Sequence, residues 1–427
     1  MAYIGVLFVV ALYAMRLFKY YIVLLLFQSA CSDSLRVTAE NIGSPERKII
    51  PALSGERIKA LSGLGYFDRA VTHNPEARNV TKAEGTAFDG WNVYGSRDRA
   101  QAFLMDNSGK VLHEWASADK RPPWMHVVLL PRGELIVLSK GNYLAKIDWN
   151  SKLIWKRSMP AHHDVTVAPD RKIYVLTHRM NEYNHGGVMV PIMDDSVEVL
   201  SPDGTLERKK SLFPLLRSLV PVSRLDRLAA RKKQGVPTQK LISEGAPGDT
   251  THTNSIQVLE RAVPGIAEPG DILLSVREIN RIVILDNKLE RLRWSWGKGE
   301  LEGQHHATHL DNGHILIFDN GVRRKQSRVI EMDPTTGKIV WSYTAAGFYS
   351  RLRGSAQKLP NGNVLTVESD KGHAVEVTMD GKQVWEFWNP DVRGEHDGKP
   401  TRSVIYRMMR YPKDFLAPGL TATAARD

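Results

Sequence analysis

A single cysteine, Cys31, stands among 427 residues. That excludes an internal disulfide framework and any metal site built on several cysteines. Long apolar runs are scarce as well. The run that follows Lys19, YYIVLLLFQSA, has eleven residues, fewer than the roughly 20 a bilayer-spanning helix needs. Acidic residues are outnumbered 47 to 58, for a formal charge of +11. The excess is uneven, because the segment from Arg208 to Lys233 holds nine Lys or Arg. With no zinc-finger, homeodomain or RNA-binding signature, this charge does not indicate nucleic acid. It fits an anionic substrate or an anionic membrane surface. At 42% hydrophobic and 25% charged, the chain has material for a large folded core.

The first 31 residues read as a signal or membrane anchor. MAYIGVLFVVALYAM is uncharged, Arg16 and Lys19 interrupt it, and the eleven-residue run has the length of a signal-peptide core. Ser29-Ala30-Cys31 resembles the end of a lipoprotein signal, with Gln28 where leucine is usual. The alternative is one uncleaved helix across residues 2–27 carrying two interior cations, each costing about 2.5 to 3.5 kcal/mol. Both place the bulk of the protein outside the cytoplasm, periplasmic or at the cell surface, on a membrane tether. An N-terminal extension is expected at 32–89, with a short helical stretch from Ser54 to Leu61, and a tail at 416–427.

Between these ends the chain repeats. LPRGELIVL (130–138), APDRKIYVL (168–176), AEPGDILLS (267–275), LDNGHILIF (310–318) and LPNGNVLTV (359–367) each combine a tight turn with a period-two apolar strand. Outer hairpins begin at residues 103, 146, 198, 283, 330 and 376. Five end in Trp; the hairpin at 198–209 ends in a basic run. Pairing inner with outer hairpins gives units of about 40 to 50 residues, the period of β-propeller blades. Five blades close this way. The orphan hairpin at 103–115 and the segment 402–412 make a sixth from the two chain ends, leaving no open edge. The fold class is therefore all-β, a six-bladed propeller over residues 90–415. A basic stretch at 211–235, broken by Pro214 and Pro221, reads as a helical insertion. It is either a solvated excursion or a helix lying on anionic lipid.

The innermost strands of a propeller line its channel, so residues at their ends face the axis from different blades. Counting back five from the repeat's first residue reaches His163 and His305; counting two past its last reaches His178, Arg277 and Asn320. His252 lies just ahead of the third inner strand. Of the adjacent His305 and His306 only one is expected to face the channel, and the register selects His305. His306, His309 and His314 are expected to be structural or exposed. Three imidazoles alone would permit a metal, but the arginine argues for an anion there. A tetrahedral oxyanion fits, attacked by one imidazole and held by the others with the guanidinium. Neither metal nor cofactor is expected.

HHDVTVAPD, DTTHTNSI, LLSVRE, QHHATHLDNGHILIFDNG, SRVIEMDPTTGKIVW and GSAQKLPNGNVLTVE occur in this order. From about residue 90 to 412 the chain thereby resembles the bacterial arylsulfotransferases, six-bladed propellers. The resemblance implies transfer of a sulfuryl group from an aryl sulfate ester to a phenol, without a nucleotide donor, through a sulfohistidine. His305 would be the nucleophile; His252, Arg277 and one histidine of HHD, His163 by register or else His162, would stabilise the transferring group. Asn320 and His178 would contribute to substrate binding. The disulfide of the better-known periplasmic members cannot form here. A quinone-dependent dehydrogenase would also carry Trp-bearing propeller repeats, but no adjacent cysteines or calcium-binding acidic cluster is present. A membrane-tethered binding propeller would need no converging His and Arg.

Overall fold

Each repeat becomes one antiparallel sheet. The computed structural model describes residues 69–118 and 121–420; the signal or anchor at 1–31 and the stretch Ser54 to Leu61 lie outside them. Six sheets of four or five strands follow one another, each built as a meander from the channel outward. The innermost strands of blades 1 to 5 are His126–Leu129, Ala161–Val167, Thr253–Val258, His305–His309 and Ser355–Lys358. In blade 6 the innermost strand, Ile405–Pro412, comes from the far end of the chain and pairs with Gly90–Ser96, followed by Gln101–Met105 and Val111–Ala116. Consecutive inner strands touch from blade 1 to blade 6, and blade 6 meets blade 1 through Gly90–Ser96 and His126–Leu129, so the sheets follow one another round a β-propeller.

The second strands carry the apolar half of the repeat, and they are buried on both faces rather than one. Leu135–Ser139, Ile272–Val276, Ile315–Asp319 and Val364–Glu368 show no exposed position. Blades stack face to face, so a strand in mid-blade meets a neighbour on each side.

The tryptophans join blade to blade. Trp115, Trp155, Trp296, Trp341 and Trp385 donate their indole N–H to Gly133, Pro202, Gly337, Met379 and Asn107 carbonyls in the following blade. In blade 3 this is Trp296, two residues past the Trp of the repeat. Gly204, at φ +86°, lets Trp155 close over the next turn, where a Cβ would lie 2.8 Å from the ring. Blade 2 has no Trp at this position, and Lys210 pairs instead with Glu290 of blade 3 at 3.4 Å.

The segment before residue 90 is drawn into the fold. Asn79–Ala83 adds a fifth strand to blade 5, and Arg69–Val71 forms a small sheet with Val392–His396 and Lys399–Ser403. At the other end Leu416 is buried and the Ala417 N–H donates to the Pro131 carbonyl.

The basic insertion forms three helices, α1 (Phe213–Leu216), α2 (Val222–Lys233) and α3 (Thr238–Ile242). The prolines that interrupt its amphipathic pattern start helices: Pro214 lies in the first turn of α1 and Pro221 caps α2. Arg231, Lys232 and Lys233 occupy the last turn of α2, where the helix dipole favours cations. Leu225, Leu228 and Ala229 are buried in the core cluster of blades 2 and 3. The apolar face a lipid-bound helix would present is thus already covered, which favours the excursion over the lipid-lying helix. Among the described residues no helix is long and apolar enough to cross a membrane.

Candidate functional site

The inner strands of blades 2, 3 and 4 enter the channel irregularly. Ladder register slips between Ala161 and Val165, between Thr253 and Ser255, and between His305 and Thr308. His163, His252 and His306 adopt left-handed φ of 56°, 47° and 47°, uncommon for residues with a Cβ. Such bulges re-aim side chains, and two neighbouring imidazoles part company here. His305 lines a small cavity at one end of the channel; His306 lines a separate, larger one of about 710 Å³. His306 is thus buried, as a second channel residue rather than an exposed one. Asp164 occupies its repeat-equivalent position in blade 2 and lines the same larger cavity.

The small cavity, about 20 Å³, brings together His163, His252, Arg277 and His305 from three blades. It opens toward a second space of about 590 Å³ that shares His163 and His252 and adds His162, His178, Asp195 and Asp249. His162 and His178 line only this second space. Asn320 lines neither cavity and acts from behind His305.

Asn320 decides which nitrogen of His305 is free. Its Nδ2 donates to the carbonyls of Ser350 and Arg353 at 2.8 and 2.6 Å, fixing the amide so that Oδ1 must accept. His305 Nδ1 lies 2.8 Å from that oxygen and 3.0 Å from the Gly303 carbonyl, so Nδ1 carries the proton. The lone pair is on Nε2, where it accepts the Arg353 backbone N–H at 3.2 Å. Burial, and then the Arg277 charge, hold the imidazole well below its ordinary pKa, so it stays neutral.

His252 is tuned the other way. Burial opposes its charge, but the Asp249 carboxylate, 2.7 Å from Nδ1, outweighs burial and raises the pKa. Its Nε2 lies 3.3 Å from Nε2 of His163, which burial and Lys140 keep neutral. Arg277 bonds Glu278 through Nη1, and its buried Nε has no hydrogen-bond partner.

The insertion holds this part of the site in place. Arg224 of α2 donates to the carbonyls of Ala246, Pro247 and Asp249 and to Glu278 at 3.0 Å. It therefore fixes the turn that carries Asp249 and the carboxylate that carries Arg277, and does not face outward.

Arg97, Lys140, Glu244, Leu352, Arg353 and Tyr406 also line the small cavity and were missed in the sequence. Lys140 was reachable, because it lies two residues past the repeat in blade 1, as His178, Arg277 and Asn320 do in theirs. Burial and Arg97 bring its pKa down to about 8. Arg97, Arg353 and Tyr406 stand where no repeat count leads. A neutral imidazole, His305, thus faces a cavity edged by Arg277, Arg97, Arg353, Lys140 and a histidine biased toward its cation, against the one carboxylate of Glu244. This defines a propeller with an anion-handling site on its axis.

Residues 126–390 match the family described as arylsulfotransferase (ASST). The chain belongs to that family, which supports an enzyme of sulfotransferase type. Solved structures similar to it include a protein of unknown function from Bacteroides caccae, at 12% identity, covering 75% of this chain and 98% of that one with a TM-score of 0.48. A streptogramin B lyase matches at 12% identity over 80% and 97%, TM-score 0.44. A virginiamycin B lyase from Staphylococcus aureus matches at 11% over 73% and 88%, TM-score 0.40. No protein of curated function matches the chain.

Proposed function

We propose that the protein transfers a sulfuryl group from an aryl sulfate ester to a phenolic acceptor, without a nucleotide donor, through a sulfohistidine at His305. The observation that carries this is the locked tautomer of His305: a neutral ring with Nδ1 held by Asn320 and an Nε2 lone pair beside a cavity shared with Arg277, His252 and His163, where attack on sulfur replaces the Arg353 N–H bond. In the first half-reaction Nε2 bonds to sulfur, the sulfur–aryl oxygen bond breaks, and the leaving oxygen takes a proton from His252. In the second the acceptor returns its proton to His252, its oxygen bonds to sulfur, and the sulfur–nitrogen bond breaks. Arg277, with a free Nε, holds the equatorial oxygens, where a loose transition state spreads its charge.

A covalent intermediate requires double displacement. An aryl sulfate alone should release one phenol per active site in a burst, and donor and acceptor should give parallel lines in reciprocal plots. Intersecting lines and no burst would replace the sulfohistidine with direct transfer. The proposal includes a membrane tether outside the cytoplasm. Full-length protein should sediment with membranes and a chain starting near Asp33 should not; Cys31→Ser releases a lipoprotein but not an uncleaved helix. Recovery of the full chain in the cytosol would overturn the tether.

A further inference from the structure

Beside the proposed transfer site lies a cluster that the reaction above does not use. His162, His178 and Asp195 each offer one ligand atom, all within 4.8 Å of one another. They come from three adjacent strands of blade 2: Ala161–Val167, Ile173–His185 and Val188–Leu200. His178 is paired directly across the ladder with Asp195, and Ala161, next to His162, is paired with Thr177. A sheet therefore fixes their spacing, and the two imidazole rings stack at 4.5 Å.

The atoms in question are free to bind. His162 is 1% exposed, yet its Nε2 has no hydrogen-bond partner. Asp195 accepts from the Thr251 hydroxyl and the Thr253 N–H, both at 2.7 Å and both on Oδ2, while Oδ1 lies 3.3 Å from His162 Nε2. That separation matches the ligand edge of a tetrahedral site, about 3.3 Å for bonds of about 2.0 to 2.1 Å.

A second grouping, Asp249, His252 and Glu278, offers a comparison. There Asp249 is bonded to His252, and Glu278 is bonded to Arg277 and Arg224. In that group a 2.7 Å bond joins Asp249 to His252 and two arginines hold Glu278; in blade 2 the ligand atoms His162 Nε2 and Asp195 Oδ1 meet at a looser 3.3 Å.

We propose that His162 Nε2, His178 and Asp195 Oδ1 bind one divalent transition ion of the zinc type. Two imidazoles and one carboxylate suit zinc, and three protein ligands leave a fourth position open. That position faces the 590 Å³ space that adjoins the small cavity. Arg97, Lys140, Glu244 and Asp249 line the same space. The ion also bears on the transfer site, since His162 Nδ1 lies 2.7 Å from His163 Nδ1.

Zinc titration of EDTA-treated full-length protein in detergent tests this without reading sulfuryl transfer. One zinc per chain is expected after dialysis by elemental analysis, with a rise in Tm on adding zinc. Cobalt should give the intense visible band of a tetrahedral site. His178→Ala should bind zinc about tenfold more weakly or worse. Asp195→Asn, which keeps an oxygen for Thr251 and Thr253, should behave alike, and His396→Ala on an exposed hairpin should match wild type. Circular dichroism in EDTA establishes that each variant folds. Substoichiometric zinc in wild type, or equal affinity in wild type, His178→Ala and Asp195→Asn, overturns the site.

Discussion

Two arginines stand near the channel axis, each beside histidines, and they are employed differently. At the far cavity Arg407 gives both ends of its fork to Asp164, at 2.8 and 3.3 Å, with His126 3.3 Å from Nη1. At the proposed transfer site Arg277 bonds Glu278 through Nη1 only; the buried Nε of both arginines has no hydrogen-bond partner. His306 and His305 differ in their surroundings. The first accepts the Ala356 N–H at Nδ1 and lies with His126, Asp164 and Arg407 around the larger cavity; the second donates from Nδ1 to Asn320 and accepts the Arg353 N–H at Nε2 beside the small one. One end of the channel commits both arms of its arginine to a buried carboxylate; the other commits one arm of Arg277, and a donor not so committed can stabilise charge that arrives with a substrate.

The largest break in this comparison comes from the adjacent histidines. His305→Ala should abolish the phenol burst and lower kcat/KM by at least about 10³-fold, whereas His306→Ala should keep most activity and lose Tm. The reverse result would move the nucleophile by one residue. Next come the arginines. Arg277→Lys, which keeps the charge without the planar fork, should slow the burst about 10²-fold at unchanged Tm. Arg407→Lys should cost about 3 kcal/mol of stability in denaturant titration, because the Asp164 carboxylate loses a bidentate buried partner.

A smaller effect is expected behind the nucleophile. Asn320→Ala should lower the burst rate about tenfold by freeing the His305 tautomer. Asn320→Asp should restore the acceptor but stabilise imidazolium, adding an acid limb to the pH–rate profile that wild type lacks near neutrality.

For pH itself the signs differ between groups. His252 is raised above 6.5, so a rate that needs its cation falls as pH rises through that higher value. His126, His163, His178, His305 and His306 are lowered, so below pH 6.5 the unfolded chain takes up protons that the folded one refuses. Stability then falls with acid, by up to about 1.4 kcal/mol per histidine per pH unit. A Tm that holds steady from pH 7 to 5 would contradict that accounting. Least of all, Arg224→Gln should slow transfer severalfold through Asp249 and Glu278 while leaving binding to anionic vesicles unchanged. A salt-dependent loss of vesicle binding would restore a lipid-facing role to the insertion.

The repeat fixed a good deal in advance. Turn residues at constant spacing and apolar strands of constant length specify meanders that must stack to bury both faces, so blade number and closure by the two chain ends follow from the sequence alone. The same count leads from one blade to the next and so to His163, Arg277 and His305. It leads to Lys140 as well, which an interest in imidazoles passed over. Three things depended on tertiary structure. The bulges that send His305 and His306 to different cavities arise from ladder slips that no periodicity encodes. The opposite tuning of His252 and His305 depends on Asp249 and Asn320, whose effects rest on distances of 2.7 and 2.8 Å. Arg97, Arg353 and Tyr406 reach the site from outside the repeat, because a ring brings every blade to one axis whatever its place along the chain. Sequence determines strands through local periodicity; which nitrogen holds a proton is decided by atoms far apart in the chain and in contact only once the ring has closed.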